Sequence, residues 1–397
     1  MPGPLAGLTL IDVTTFLAGP LATQMLGDLG AEVIKIETPP FGDTMRAIGP
    51  ARNRGMPSQY LTYNRNKKSV AIDLKRPQGL EALKRLVARA DIFIHNMRPP
   101  AARRLGIAYS EMSAVNPNIV YASIPGFSQN GPLKDRAAYD DLIQGMSGIC
   151  GMSLRRDGTP TYVPFNLADK LSAYCTVTAV GMALVHRERT GEGQEVQVPM
   201  LETMLEFNCA DQLYGYVFEP IMEPGIGHPR ALSPARRPFQ TSDGYICMQT
   251  TTNEQFKRLF DVIGTPELMD DPRFSSVETR TKNLGELLPK IAERLKRRST
   301  AEWQDKLTAA DIPNAPMLTL DDLQTSSYIR DTGFFHVYDH PTEGKMRTPK
   351  PAAQYSKSTL DTLAPPPNYG EHTDAILSKL GYSGAEIDVI AGRATAR

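Results

Sequence analysis

The chain of 397 residues has no excess of either charge, since 44 Lys and Arg balance 44 Asp and Glu. Such a balance gives no global pull toward nucleic acid or an anionic membrane, so an anionic ligand has to meet a local basic cluster. Cysteine is scarce. Cys150, Cys175, Cys209 and Cys247 lie far apart and form no CxxC pair, which argues against a disulfide framework or a zinc site and for a reducing, cytoplasmic setting. The six histidines (His95, His186, His228, His336, His340 and His372) are scattered without an HExxH-type spacing, so no catalytic metal is expected. Long apolar runs are missing too. The longest, after Tyr174, falls short of the roughly 20 residues of a membrane span. The opening MPGPLAGLTLIDV has no basic start before an apolar run, and no signal peptide is expected.

What is present is an ordinary globular composition, 41% hydrophobic and 22% charged, on a chain too long for one core. Strand-like and helix-like segments alternate in the first half. LTLIDV (8–13), AEVIKIE (31–37), SVAIDL (69–74), DIFIHN (91–96), NIVYASI (118–124) and EVQV (195–198) read as strands. Helical spacing marks 20–30, 79–90 and an apolar helix from Asp169 to about Val185. This predicts a large Rossmann-like α/β domain built on a parallel sheet. The pattern breaks at EPIMEPGIGHPRALSPARRPF, with its five prolines. The strand GYICMQT, helices at 253–264 and 284–298, and the capping box of Ser299 with Glu302 then predict a smaller α+β domain. The expected organisation is a large domain over 1–211, a linker over 212–240, the small domain over 241–325, and a linker and C-terminal segment over 326–397 that returns to the large domain.

Two basic stretches follow strands. NRNKKSVAIDLKRP supplies Arg65, Lys67, Lys68, Lys75 and Arg76, and HNMRPPAARRLG supplies Arg98, Arg103 and Arg104. Open α/β sheets bind ligands beyond strand ends, and arginine suits phosphate, so a polyphosphate anion is expected rather than a solvated charged face. The turn TTFLAGPLA lacks GxGxxG and argues against a dinucleotide. Asp169, in VPFNLADKLSAY, reads on its own residues as a helix N-cap. The same place suits a carboxylate nucleophile, because no Ser or His adjoins it to make a triad.

Taken together, LAGPLATQMLGDLGAEVIKIE, NRNKKSVAIDLK, HNMRPPAARRLG, NPNIVYASIPGFSQNGP, YDDLIQGMSG, TGEGQEVQVPMLE, PFQTSDGYI and DPRF resemble class III coenzyme A transferases, the CaiB/BaiF family, over essentially the whole length. The resemblance implies that Asp169 is the catalytic aspartate. It attacks an acyl-CoA thioester to give a mixed anhydride, and an aspartyl-CoA thioester then passes CoA to a carboxylic acid. An aspartate of ordinary pKa, about 3.9, would be ionised at neutral pH and need no base. The resemblance also implies a CoA site formed by Ile72, Lys75, Asn96, Met97, Arg98, Ala101 and Arg104, with acyl-CoA as substrate and no permanently bound cofactor. It implies an interlocked homodimer of ring-like subunits, which the long proline-rich connections suit.

Three departures bear on the substrate. Formyl-CoA transferases have a glycine-rich loop where this chain reads EPGIGHPRALSP, Gln where it has Leu17, and Arg where it has Thr38. A formyl or oxalate substrate is therefore not expected, and a dicarboxylic donor such as succinyl-CoA is. Arg230, Arg236 and Arg237 read either as exposed linker residues or as holders of a distal carboxylate. The alternatives are an α-methylacyl-CoA racemase and a non-catalytic CoA-binding protein. Racemases place a histidine in the stretch that here reads AAYDDLIQGMSG and has none.

Overall fold

The computed structural model describes residues 3–360 and 363–393. These divide into two units. The first lies within Met1–Ile149, Tyr162–Asn208 and Phe334–Arg397, the second within Cys150–Thr161 and Cys209–Gly333.

Unit 1 is built on six parallel strands: β1 (Thr9–Val13), β2 (Glu32–Glu37), β3 (Lys67–Ala71), β4 (Ile92–His95), β5 (Val120–Ser123) and β6 (Gln194–Gln197). Their order is β3-β2-β1-β4-β5-β6. Side chains alternate across the sheet, so each apolar strand feeds two cores. Ile11, Ile34, Val70 and Phe93 face the helix Pro77–Val87 through Leu83, Leu86 and Val87, with Leu377, Ile387 and Ile390 from the C-terminal helices. Leu10, Val33, Ile92, Ile94, Val120 and Ala122 pack on the other side with Leu26 of helix Ala18–Asp28 and with Val180 and Ala183 of helix Leu167–Thr190.

Helix Leu167–Thr190 reads as apolar along much of its length, but only one face is buried. Ala168, Ser172, Thr176 and Val180 recur every four residues on the covered face, while Tyr174 and Met182 stay exposed. Small side chains at that spacing bring the helix close to its neighbour and leave the larger ones outside.

The charge lies where the core is tightest. Lys35, in the middle of β2, is fully buried between Asp43 at 2.9 Å and Asp12 at 3.9 Å. Asp12 also takes the ammonium of Lys67 at 3.0 Å. Burial opposes each of these charges; the opposed partners outweigh it at Asp12 and Lys35, holding Asp12 below and Lys35 above their ordinary ranges, whereas at Lys67 burial wins and lowers the ammonium pKa to about 8. Glu37 receives the Arg46 guanidinium in a fork at 2.7 and 2.8 Å.

The proline-rich stretch after 326 gave no strand signal, yet it holds an antiparallel hairpin of β10 (Phe335–His340) and β11 (Gly344–Pro349). In unit 2, β7 (Phe239–Gln240), β8 (Tyr245–Met248) and β9 (Asn314–Pro316) form a small antiparallel sheet. Helices Asn253–Ile263, Leu284–Leu295 and Thr300–Ala309 pack around Leu259, Phe260, Leu287 and Trp303. Ser299 and Glu302 make the expected capping box, with Oγ accepting the Glu302 amide at 3.2 Å and Oε2 accepting the Ser299 amide at 2.9 Å.

Removing one member of a buried ion pair strands the other. Lys35→Met should therefore cost about 3–5 kcal/mol and lower the urea midpoint of unfolding. Lys68→Met, which loses only an exposed pair with Glu32, should leave that midpoint unchanged.

Candidate active site

The strand order reverses between β1 and β4, and open α/β sheets bind ligands outside the carboxyl ends of such a pair. A cavity of about 530 Å³ opens there, lined by Thr15 and Phe16 after β1, Asn96 and Arg98 after β4, and Ile124, Pro125 and Gly126 after β5. Arg136 to Leu142, Asn166, Asp169 and Met200 line the rest together with Ala18 and Thr44. Gly126 meets Ala138 face to face, and a Cβ added there would lie 2.2 Å from the Ala138 Cβ.

The turn after β1 is held against its own preference. Phe16 has φ 70°, a left-handed backbone that bulky side chains rarely adopt. Asp43 Oδ1 accepts the Phe16 amide at 3.1 Å, and Lys35 donates to the Thr14 carbonyl at 2.8 Å. Asn96 brackets Thr15, accepting its amide at 3.0 Å and donating to its carbonyl at 2.7 Å. The Phe16 ring then leans on Tyr139 at the cavity wall, their centroids 6.0 Å apart.

Asp169 is the third residue of helix Leu167–Thr190, whose N-cap is Asn166. The reading of Asp169 as the cap is thus corrected. The Asp169 amide is instead satisfied from outside the helix, donating to Asp140 Oδ1 at 3.0 Å. Gln144 fixes this contact, donating to Asp140 Oδ2 at 2.6 Å and accepting the Val163 amide at 2.9 Å. So Asp140, itself buried, ties the first turn of the helix to the segment 140–146.

The expectation of an ordinary carboxyl is also overturned. Burial, and then the carboxylate of Asp140, push the pKa of Asp169 up to about 7. A helix N-terminus favours a negative charge, but here desolvation wins. The Tyr63 phenol is raised as well, by burial first and then by the Asp169 charge.

The basic stretches meet different fates. Arg65 is paired with Asp28, Lys67 with Asp12, Lys68 with Glu32 and Arg76 with Asp73. Most of the first stretch therefore serves the fold, against the expectation of an anion cluster. Among the described residues Lys75, Arg98 and Arg104 are exposed and enter no salt bridge. Of the residues expected to hold CoA, Asn96 and Arg98 share the cavity with Asp169. Met97 lines a neighbouring crevice of about 30 Å³ with Thr15, Thr38 and Leu74. Ile72 is wholly buried in the core, while Ala101 is partly exposed. Leu17 packs inward with Met45, Met56 and Tyr60 and does not line the cavity.

CoA-transferase family III matches residues 5–373. The chain belongs to that family. This CoA-transferase is 33% identical over 378 residues to the succinyl-CoA:glutarate CoA-transferase of Mus musculus, covering 95% of this chain and 86% of that one. It is 32% identical over 393 residues to the succinate–glutarate CoA-transferase of Agrobacterium fabrum, covering 95% and 96%. A CAIB/BAIF family protein from Brucella suis has the same fold, with a TM-score of 0.81 and 30% identity over 96% of this chain and 100% of that one.

In the transferase, sequence reasoning missed Arg136 and the part played by Asp140. Arg136 is exposed, lines the cavity and pairs with no carboxylate among the described residues. The signal for Asp140 was its place in YDDLIQGMSG, but its partner lies 29 residues away. Among the described residues no group of three or more His, Cys, Asp or Glu is placed to hold a metal ion. No helix among them is long and apolar enough to cross a membrane.

A carboxyl whose pKa is higher folded than unfolded keeps its proton better when folded, so ionisation weighs against the fold. For Asp169 that cost is absent below about pH 4 and complete above about pH 7. Asp169→Asn removes the ionisation. Its melting temperature should exceed that of the wild type at pH 8, and the gap should close as the pH falls toward 4.

Proposed function

We propose that this transferase moves coenzyme A from a dicarboxylic acyl-CoA, with succinyl-CoA as the donor, to a free carboxylic acid through covalent intermediates on Asp169. The observation that carries this reading is a half-buried carboxyl in the switch-point cavity, with Arg98 and Arg136 on the same walls. The mouse succinyl-CoA:glutarate and Agrobacterium succinate–glutarate CoA-transferases, as relatives, support the dicarboxylic donor.

In its ionised form Asp169 attacks the thioester carbonyl, and the C–S bond breaks to leave a mixed anhydride and CoA thiolate. The thiolate then attacks the aspartyl carbonyl and releases the donor acid, leaving an aspartyl-CoA thioester. The acceptor carboxylate attacks that thioester, and its C–S bond breaks to give CoA thiolate again and a second anhydride. The thiolate finally attacks its acyl carbon, giving the new acyl-CoA and free Asp169. The Asp169 amide is committed to Asp140, so it does not serve the tetrahedral oxyanions. The first amides of helix Ala18–Asp28, which a helix leaves without internal acceptors, adjoin the cavity at Ala18 and suit that task. Partial burial keeps water from the anhydrides.

In this reading the CoA phosphates rest on Lys75, Arg98 and Arg104, and the adenine lies beside Met97 and Ala101. Asn96 acts through the Thr15 turn and Ile72 through its backbone. A homodimer is part of the same reading. Tyr174, Met182 and Phe207 of unit 1 and Val217, Phe218, Ile221 and Met222 of unit 2 are exposed apolar side chains that a partner copy would cover. Four free cysteines suit a cytoplasmic enzyme.

Asp169→Ala should bind CoA yet lose transfer from succinyl-CoA to glutarate by several powers of ten, and hydroxylamine added during turnover should modify Asp169 in the wild type. Retention of most activity in Asp169→Ala would refute the covalent route. The kcat/KM of the wild type should rise with pH through about 7, as the carboxylate forms. Asp140→Asn removes a neighbouring negative charge and should shift that limb toward acid. A 2-methylacyl-CoA incubated with the enzyme in heavy water should gain no deuterium at its α-carbon, which separates transfer from racemisation.

A further inference from the structure

A second cavity, of about 480 Å³, lies wholly within unit 2. Arg280 forms part of its wall and is only 1% exposed. Its guanidinium donates to the Phe274 carbonyl at 2.6 Å and to the side-chain oxygen of Asn253, and it lies 4.2 Å above the Phe256 ring. Nε is buried without an acceptor, and no carboxylate pairs with Arg280 among the described residues. Arg230 and Arg236 join the lining and enter no salt bridge among the described residues, whereas Arg237 is tied to Asp157. No Asp or Glu lines the cavity. A buried cation without a counter-charge is costly to keep; Arg280 is one, and the more exposed Arg230 and Arg236 border the same hollow.

We propose that this cavity is a binding site for an organic carboxylate with a hydrocarbon body. Each Nη of Arg280 gives one of its two N–H groups to a protein oxygen, and the apolar side chains beside it suit a carboxylate on a hydrocarbon body rather than a bare phosphate. Beside Gln249, Thr250, Thr251 and Thr281, the lining includes Phe256, Leu284, Leu288 and Ile291, apolar side chains positioned to take a chain. The volume falls within the range of small-ligand sites, roughly 300–1,000 Å³. The carboxylate is brought either by a free acid or by the open end of a dicarboxylic thioester. This assignment does not depend on the role given to Asp169.

Photolabelling of the full chain tests it. A hexanoate bearing a diazirine on its chain should label peptides that contain Phe256 or residues 284–291. Excess hexanoate should displace the label, and inorganic phosphate should not. Arg230→Ala with Arg236→Ala, two changes outside the core, should cut the yield roughly tenfold or more. Arg280→Lys, compared at equal thermal stability, should cut it as well. Displacement by glutarate points to free acids, and displacement by glutaryl-CoA alone points to the thioester's open end; either result upholds the site. Labelling confined to peptides of the Asp169 cavity, labelling indifferent to the arginine variants, or displacement by phosphate as strong as by hexanoate would overturn it.

Discussion

The Lys35 ammonium, sealed between Asp43 and Asp12, is the interaction on which the reactive end of unit 1 depends. A parallel sheet offers a ligand crevice only if the turns beyond its strands stay in place. Here the turn after β1 contains a bulky residue in a left-handed backbone, a conformation that costs energy and reverts unless its neighbours dictate it. Lys35 grips the Thr14 carbonyl while Asp43, its ion-pair partner, takes the Phe16 amide. Charge deep in the sheet is thus converted into backbone position at the cavity. Buried pairs of this kind contribute little net stability over apolar replacements, so their value here lies in geometry.

A second electrostatic arrangement sets the state of Asp169. The contact through its amide holds the helix start against Asp140, while burial first and the Asp140 carboxylate second raise its carboxyl pKa. Asp140 thus acts on both the position of Asp169 and, after burial, its charge state. A carboxyl near neutrality has two forms in comparable amounts, with the nucleophilic one favoured by mild alkalinity.

The parallel sheet was legible because β-branched runs recur at helix-length intervals, and each of the six strand expectations matches a strand within a few residues. Asp169 drew attention by its motif, since its local chemistry alone read as a cap, and the fold places it in the switch-point cavity. Its pKa was illegible, since burial and Asp140 reach it only through the fold. The basic stretch at 65–76 misled for a related reason. Sequence places charges side by side but does not say that Asp28, Asp12 and Glu32 will fold onto them. The hairpin β10–β11 escaped notice because prolines surround it and its two strands alternate weakly. The exposed face of helix Leu167–Thr190 escaped because apolar composition alone does not tell a buried surface from one left open.

The Gly126–Ala138 contact decides how such a site can be reshaped. No side chain fits at position 126 without pushing the opposite wall away, so a mutational library that varies it yields mostly damaged scaffolds. Room in this cavity comes instead from Ala138→Gly, which removes the methyl that Gly126 faces and lets the two segments keep their course. Ala137, exposed on the same wall, is the place to narrow the chamber instead. The cavity is thus open to reshaping from the 136–142 side and closed from the strand side.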